Sequence, residues 1–83
     1  MDTVPLINEA VANIVKQLRR KSRFTQEQLA GFARTSRSQI AQLEAGKRGV
    51  TLHSLYWIAE SFNIPFDDFL NMIAAERHRL KKQ

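Results

Sequence analysis

Residues 25–45 read TQEQLAGFARTSRSQIAQLEA, and this stretch contains two helix-start signals eleven positions apart. Thr25 is followed three residues later by Gln28, and Ser36 is followed in the same way by Gln39. Both pairs fit the capping box, in which a hydroxyl oxygen accepts from a free backbone amide while the amide side chain reaches back to the cap. Only a short segment separates the two helices that these signals predict. Two short helices joined by a tight turn form a helix-turn-helix.

The positive charge of the chain is concentrated around this stretch. The 83 residues carry a formal net charge of +5, but residues 16–48 carry +7, while residues 49–76 have no lysine or arginine and carry −4. A basic patch beside two capped helices is typical of nucleic-acid binding, although an ordinary solvated surface also explains the charge. Since the second helix of such a pair commonly enters the DNA major groove, double-stranded DNA is the expected partner.

Length and composition limit the other classes of protein. The whole chain, residues 1–83, is expected to form one domain with a core over about residues 5–75. It has no cysteine, so disulfides and thiolate metal sites are excluded. No run approaches the roughly 18 apolar residues of a membrane span, and the start lacks the order of a signal peptide. We expect a cytoplasmic protein that is associated with the nucleoid when bound to DNA.

Helical spacing of apolar residues predicts an all-α fold. The five predicted helices cover residues 4–22, 25–33, 36–45, 51–63 and 65–79. Asp2 and Thr3 are expected to start the first helix, whose inward stripe is Ile7, Val11, Ile14 and Leu18. A basic amphipathic helix can also lie on a membrane surface, but so short a chain needs this stripe for its core. The basic residues 77–83 are expected to form a frayed tail.

Two further stripes are predicted for the second half of the chain. The fourth helix is expected to turn Leu52, Leu55, Ile58, Ala59 and Phe62 inward, which leaves Trp57 on the other face. The fifth is expected to present Phe66, Phe69, Leu70, Ile73 and Leu80 along one side, extended by Met72. A tryptophan on an outer face is more often covered than free in solution. We therefore predict a homodimer whose interface contains Trp57, Phe66, Phe69, Met72 and Ile73.

The third predicted helix has the composition of an element that enters a groove. Ile40 and Leu43 share one face, and Ser38, Ala41, Gln42 and Ala45 share the opposite face. That outer face contains no acid and no large apolar side chain. Gln42 can pair with an adenine edge, and Arg37, in the first turn, can pair with guanine O6 and N7. A merely polar surface helix would usually contain Glu–Lys pairs, which this helix lacks.

The spaced residues resemble the Cro and lambda-repressor type helix-turn-helix family, also called the xenobiotic-response-element family. They are Leu18-Arg19, TQEQLA at 25–30, Ala33, SRSQI at 36–40, LEAGKRG at 43–49 and LHSLYWIAESFNI at 52–64. By length the chain is similar to stand-alone members such as restriction–modification controller proteins, small phage repressors and some antitoxins. The resemblance implies five helices, a two-fold dimer and operators with inverted half-sites.

The same resemblance implies roles for individual residues. Base contacts fall on Arg37, Ser38 and Gln42, and contacts to the DNA backbone on Gln26, Arg34, Gln39, Lys47 and Arg48. Arg19 and Glu44 match a structural ion pair that joins the first helix to the recognition helix. The family usually has glycine at the turn, where this chain has Arg34, at a cost of about 1 kcal/mol. A phosphate contact by Arg34 or a different turn shape would compensate.

Two other functional classes were compared with the DNA-binding interpretation. An enzyme is not expected, because His53 and His78 are the only histidines and neither has partners at ligand spacing. No cofactor, metal or small-molecule substrate is therefore expected. The remaining alternative is an antitoxin-type protein-interaction module that neutralises a partner toxin and autoregulates. Such a module would share the fold, so the fold alone does not separate the two.

Overall fold

The computed structural model describes residues 4–83, and its five α-helices follow the predicted order. They are α1 (Val4–Lys21), α2 (Gln26–Phe32), α3 (Arg37–Glu44), α4 (Leu52–Ser61) and α5 (Phe66–Lys81). The all-α class is confirmed, since no strand occurs in the part of the chain that the structure describes. The predicted cap residues Asp2 and Thr3 lie outside the described residues.

Helices α1 to α4 end in the same left-handed motif, which keeps their connections short. After α3, the N–H of Gly46 bonds the carbonyl of Leu43 at 3.0 Å, and the N–H of Lys47 bonds that of Gln42 at 3.4 Å. This pair of bonds satisfies carbonyls that the helix end would otherwise leave free. The residues with positive φ at the four ends are Arg23, Arg34, Gly46 and Asn63. Each change of direction therefore takes only a few residues, and the helices pack closely.

Every helix contributes one large side chain to the centre of the core. Val15 of α1, Leu29 of α2, Ile40 of α3, Ile58 of α4 and Phe69 of α5 are each less than 2% exposed. Burying a side chain of this size contributes about 1.5–3 kcal/mol relative to leaving it in water. Since one core holds all five helices, the inner side of α3 is fixed and its outer side is free to contact a partner.

Two predictions about the core are wrong. Ile7 is 38% exposed and Leu52 is 65% exposed, although both were assigned to inward stripes. In α1 the buried arc is centred on Ala10, Val11, Ile14 and Val15, because α1 packs against both α5 and α3 and its small residues allow close approach. Leu52 lies in the first turn of α4, before that helix reaches the core.

The expected frayed tail is also corrected. Helix α5 continues to Lys81, and Leu80 is only 9% exposed within the main core. Leu80 extends the helical stripe that begins at Phe69 and Ile73, so its burial favours two further helical turns. The core therefore reaches Leu80 and does not end near residue 75.

Candidate nucleic-acid interface

The two predicted capping boxes form to different extents. At α2 both bonds are present: Thr25 Oγ1 accepts from the N–H of Gln28 at 3.0 Å, and the N–H of Thr25 donates to Gln28 Oε1 at 2.9 Å. At α3 the Ser36 hydroxyl accepts from the N–H of Gln39 at 3.1 Å. The Gln39 side chain does not reach back to Ser36; it accepts instead from the Thr35 hydroxyl. The second box is thus half formed, because the Gln39 side-chain oxygen is bonded to the Thr35 hydroxyl.

The outer face of α3 presents the predicted base-reading side chains to solvent. Arg37, Ser38 and Gln42 are all exposed, while Ile40 on the opposite face is 1% exposed. Arg48, in the loop after α3, donates from Nη1 to Gln42 Oε1 at 2.7 Å. An amide group has two donor hydrogens in addition to its oxygen. Arg48 therefore holds the oxygen of Gln42 and leaves its N–H groups available to an acceptor.

Four of the five predicted backbone-contacting residues lie in two places, and the fifth, Arg34, is described below. Lys47 and Arg48 are exposed in the loop after α3, where Arg48 bonds Gln42. Gln26 and Gln39 make bonds within the chain: Gln26 Nε2 donates to Glu44 Oε1 at 3.1 Å, and Gln39 accepts from Thr35 as described above. Since the Gln26 amide carries a second hydrogen, it can still donate to a phosphate oxygen.

A bidentate ion pair anchors the C-terminal end of α3. Arg19 Nε donates to Glu44 Oε2 at 2.6 Å, and Nη2 donates to Glu44 Oε1 at 3.0 Å. The third nitrogen, Nη1, donates to the carbonyl of Phe24 at 2.8 Å. The Glu44 side chain is only 4% exposed and that of Arg19 is 15% exposed. Hydrogen bonding to Glu44 raises the pKa of Arg19. The Arg19 guanidinium thereby joins α1 to the recognition helix through a charged pair, and to the segment before α2 through the Phe24 carbonyl.

Arg34 is held at the turn by a helix outside the α2–α3 pair. Its φ of 58° lies in the left-handed region, which costs a side-chain-bearing residue about 1 kcal/mol or more. Its guanidinium carbon lies 4.0 Å from the centroid of the Trp57 ring of α4. A cation over an aromatic face contributes about 0.5–1 kcal/mol at an exposed site, which offsets much of that cost. The compensation seen here comes from Trp57, and the guanidinium is already engaged within the chain.

The predicted dimer interface requires correction. Phe69 is 0% exposed and Ile73 is 4% exposed, so both side chains belong mainly to the core, and Phe69 has no surface to offer a second chain. Trp57, Phe66 and Met72 are half-buried. Among residues 6–83, the large apolar side chains that are exposed are Ile7, Phe32, Leu52 and Tyr56. A helical stripe predicts which side is apolar, but it does not distinguish residues that face the core from those that face a partner.

Three further features of the described residues concern other classes of protein. Within residues 4–83 no group of three or more His, Cys, Asp or Glu side chains is arranged to hold a metal ion. His53 accepts a hydrogen bond at Nε2 from Trp57 Nε1 at 3.2 Å, which gives this histidine a local structural contact. In the same part of the chain, none of the helices combines the length and the apolar character needed to cross a membrane.

A family model described as a helix-turn-helix domain matches residues 12–74. The chain belongs to this helix-turn-helix family. The matched residues contain all of α2, α3 and α4 with most of α1 and α5. The resemblance to Cro and lambda-repressor type proteins is thereby confirmed.

Individual relatives of this helix-turn-helix chain include regulators. It is 40% identical over 53 residues to the competence pilus inhibition repressor of Acinetobacter baylyi, a match covering 64% of this chain and 48% of that protein. The chain thus spans about half the length of this curated relative. It is 27% identical to the restriction–modification controller protein C.Esp1396I, solved as a tetramer with its natural 35-base-pair operator, with a TM-score of 0.77 and coverage of 86% and 93% of the two chains.

A second solved structure supports the fold. The clp gene regulator ClgR from Corynebacterium glutamicum aligns with a TM-score of 0.83 and covers 93% of this chain and 82% of that one. Because the two are 22% identical, this likeness shows the shared arrangement of helices alone.

Proposed function

We propose that this chain is a sequence-specific DNA-binding transcriptional regulator that binds a pseudo-palindromic operator as a homodimer. The observation that carries the proposal is the exposed outer face of α3, where Arg37, Ser38 and Gln42 project from a helix whose other side is locked into the core. Membership of the helix-turn-helix family supports it, as does similarity to a repressor and to a controller protein solved with its operator. Its place of action would be the cytoplasm, on the nucleoid.

Within this proposal the side chains divide between reading bases and fixing position. Arg37 donates two hydrogen bonds to guanine O6 and N7, and Gln42 donates from its free amide hydrogens to a neighbouring base acceptor. Lys47 contacts a phosphate, and the second hydrogen of the Gln26 amide donates to another. Phosphate contacts set the register of the protein on the duplex, while the base contacts carry the sequence information.

The second copy would cover an apolar groove between α1, α4 and α5. The groove has a volume of about 340 Å³ and is lined by Ile7, Val11, Val50, Leu55, Leu70, Ile73 and Ala74 among others. Leu52, which is 65% exposed, lies one helical turn before Leu55. In a two-fold dimer the same patch meets itself, so a protruding leucine beside a groove on each copy can fill the groove of the other. Residues 49–76, which supply most of the lining, contain no lysine or arginine, and the lining has one basic side chain, Arg77. This composition favours protein contact over DNA contact.

Selection of bound duplexes from a random DNA pool, near physiological salt, tests the proposal. Wild type should enrich an inverted repeat, whereas an Arg37→Ala/Gln42→Ala variant, altered only at exposed positions, should fold and enrich no sequence. Binding by wild type without enrichment, lost steeply as salt rises, would mean that the protein has only a basic surface. A partner-masking role of the antitoxin type would then replace the regulator proposal.

A further inference from the structure

A side-chain contact connects the turn between α2 and α3 to α4. Arg34 adopts a backbone conformation that side-chain-bearing residues rarely occupy, with φ of 58°. Its guanidinium carbon lies 4.0 Å from the centroid of the Trp57 ring. The backbone at this turn is otherwise regular, since the N–H of Thr35 bonds the carbonyl of Ala30 at 2.9 Å. The turn itself is therefore regular, as it is at Arg23 and Asn63, which also have positive φ, and Arg34 adds a side-chain contact to α4.

Trp57 is a fixed platform for this contact. Its Nε1 donates to His53 Nε2 at 3.2 Å, and the Tyr56 ring meets it edge-on with the centroids 5.3 Å apart. Ser61 Oγ donates to the Trp57 carbonyl at 2.8 Å. With its edge bonded to His53 and its side packed by Tyr56, the indole presents one face to the guanidinium. Movement of the turn away from α4 would break the stacking contact.

We propose that Arg34 and Trp57 form a clamp that sets the direction in which α3 leaves the turn, and that Arg34 is thereby a positioning residue for base reading. This inference rests on the proposed DNA-binding function. Only Thr35 and the cap residue Ser36 separate Arg34 from Arg37, so a displacement of the turn moves the first base-reading side chain. The C-terminal end of α3 is already attached to α1 through Glu44. With the clamp, both ends of the recognition helix are attached to helices outside the α2–α3 pair.

The alternative for Arg34 is a direct phosphate contact. A phosphate contact weakens binding to all DNA sequences to a similar degree when it is lost, because phosphates carry no sequence information. A positioning residue instead changes how the base-reading face meets the groove, so its loss lowers the affinity for the operator more than the affinity for random DNA. The ratio of the two affinities therefore separates the clamp from the phosphate contact.

The test compares Arg34→Lys with Arg34→Gly in the full chain. Lysine keeps the charge but lacks the planar guanidinium that stacks on a ring, and glycine also relieves the left-handed backbone. Trp57 is the only tryptophan, so quenching of the protein's fluorescence by acrylamide measures how far its ring is shielded from solvent. Both variants should increase the quenching constant. Arg34→Gly should lower the operator-to-random affinity ratio about two- to fivefold, the equivalent of an exposed cation–π contact, and Arg34→Lys should lower it by less, because an ammonium also interacts with a ring face.

The same lysine substitution is also made in a variant that lacks Trp57. In Trp57→Leu, the change of Arg34 to lysine should leave the affinity ratio unaltered, because the partner of the guanidinium is gone. Unchanged quenching in Arg34→Lys, or a lower stability with an unaltered affinity ratio, would overturn the clamp as a positioning device. If wild type selects no DNA sequence at all, the regulator proposal and the positioning role fail together. The quenching result still decides whether Arg34 covers Trp57.

Discussion

At the scale of single residues, two cations near α3 are expected to make different contacts with DNA, one to a base and one to a phosphate. Arg37 and Lys47 are both exposed cations near the two ends of this helix, but they are assigned different roles. Arg37→Ala should weaken operator binding by about 1–3 kcal/mol and relax the preference at one base pair, because a bidentate guanine contact is lost. Titrations of the selected duplex and of its single-base variants measure both effects.

Lys47→Ala is the matched control for that prediction. It removes an equal charge from a position assigned to phosphate, so it should weaken operator and random DNA alike and lower the slope of log affinity against log salt by about one. Equal losses on operator and random DNA for Arg37→Ala would make Arg37 a phosphate contact as well.

Glu44 is the residue on which the attachment of α3 most depends. Glu44→Gln leaves the Arg19 guanidinium, only 15% exposed, without its carboxylate, and this should lower the free energy of unfolding by about 3–5 kcal/mol. Urea denaturation measures the loss, with Glu27→Gln on the exposed side of α2 as control. The double change Arg19→Met with Glu44→Leu should recover much of the stability, since no buried charge then lacks a partner. A loss from Glu44→Gln no larger than that of the control would contradict the account of this pair.

At the scale of helices, one carboxylate joins α1 to α5 and makes the free energy of unfolding depend on pH. Glu76 accepts hydrogen bonds from Arg79 and from Asn13 Nδ2, and these lower the pKa of Glu76 from 4.5 to about 2. Because the pKa of Glu76 is lower in the folded state, its carboxylate contributes fully to the free energy of unfolding above the unfolded pKa of 4.5. That contribution disappears as the pH falls toward 2. The difference in stability between wild type and Glu76→Gln should therefore be constant above about pH 5 and shrink below it.

Urea midpoints measured from pH 7 to pH 2 test this prediction, with Glu60→Gln on the exposed face of α4 as control. Because the Arg79 side chain is 56% exposed, salt should weaken the stabilisation that comes from the Arg79–Glu76 ion pair. The hydrogen bond from Asn13 to Glu76 should persist. A difference between wild type and Glu76→Gln that stays the same at every pH would remove Glu76 from the acid-sensitive contacts.

Most helices were predictable because their signals are local. Thr25 and Ser36 mark helix starts by hydroxyl chemistry, and both accept the expected backbone bond. The second capping box failed at Gln39 because Thr35, a neighbour in the sequence, competes for the same side chain. The clamp was not predicted, because Arg34 and Trp57 belong to different elements. The available signal was a non-glycine residue at a turn position together with a lone tryptophan on an outer helix face.

At the scale of the whole molecule, the apolar surface was harder to predict than the core. Phe69 and Ile73 were placed at a subunit interface, and Leu52 was placed inside, because apolar spacing is the same for both kinds of contact. The burial of each depends on how α5 packs on α1 and α4, which is a tertiary property. The exposed set around Leu52 and Tyr56 is visible only once the helices are assembled.

That exposed set leads to a prediction about association. Leu52→Glu places a charge where the second copy is proposed to pack, so it should shift the protein from dimer to monomer in sedimentation experiments. Phe32→Glu, at an equally apolar position that is 53% exposed on α2, is the control and should leave the dimer intact. A Leu52→Glu dimer as tight as that of wild type would exclude the groove between α1, α4 and α5 as the interface.

In the proposed dimer, two recognition helices, one from each copy, read half-sites on the same side of the duplex, about 34 Å apart. The most direct test is a titration of the selected inverted repeat against the same duplex with five base pairs inserted between its half-sites. The insertion rotates one half-site by about half a turn, so a dimer with fixed geometry can engage only one of them. We predict that affinity falls by about a hundredfold or more, to the level of a single half-site. Equal affinity for the two duplexes would contradict a two-fold dimer that reads both half-sites together.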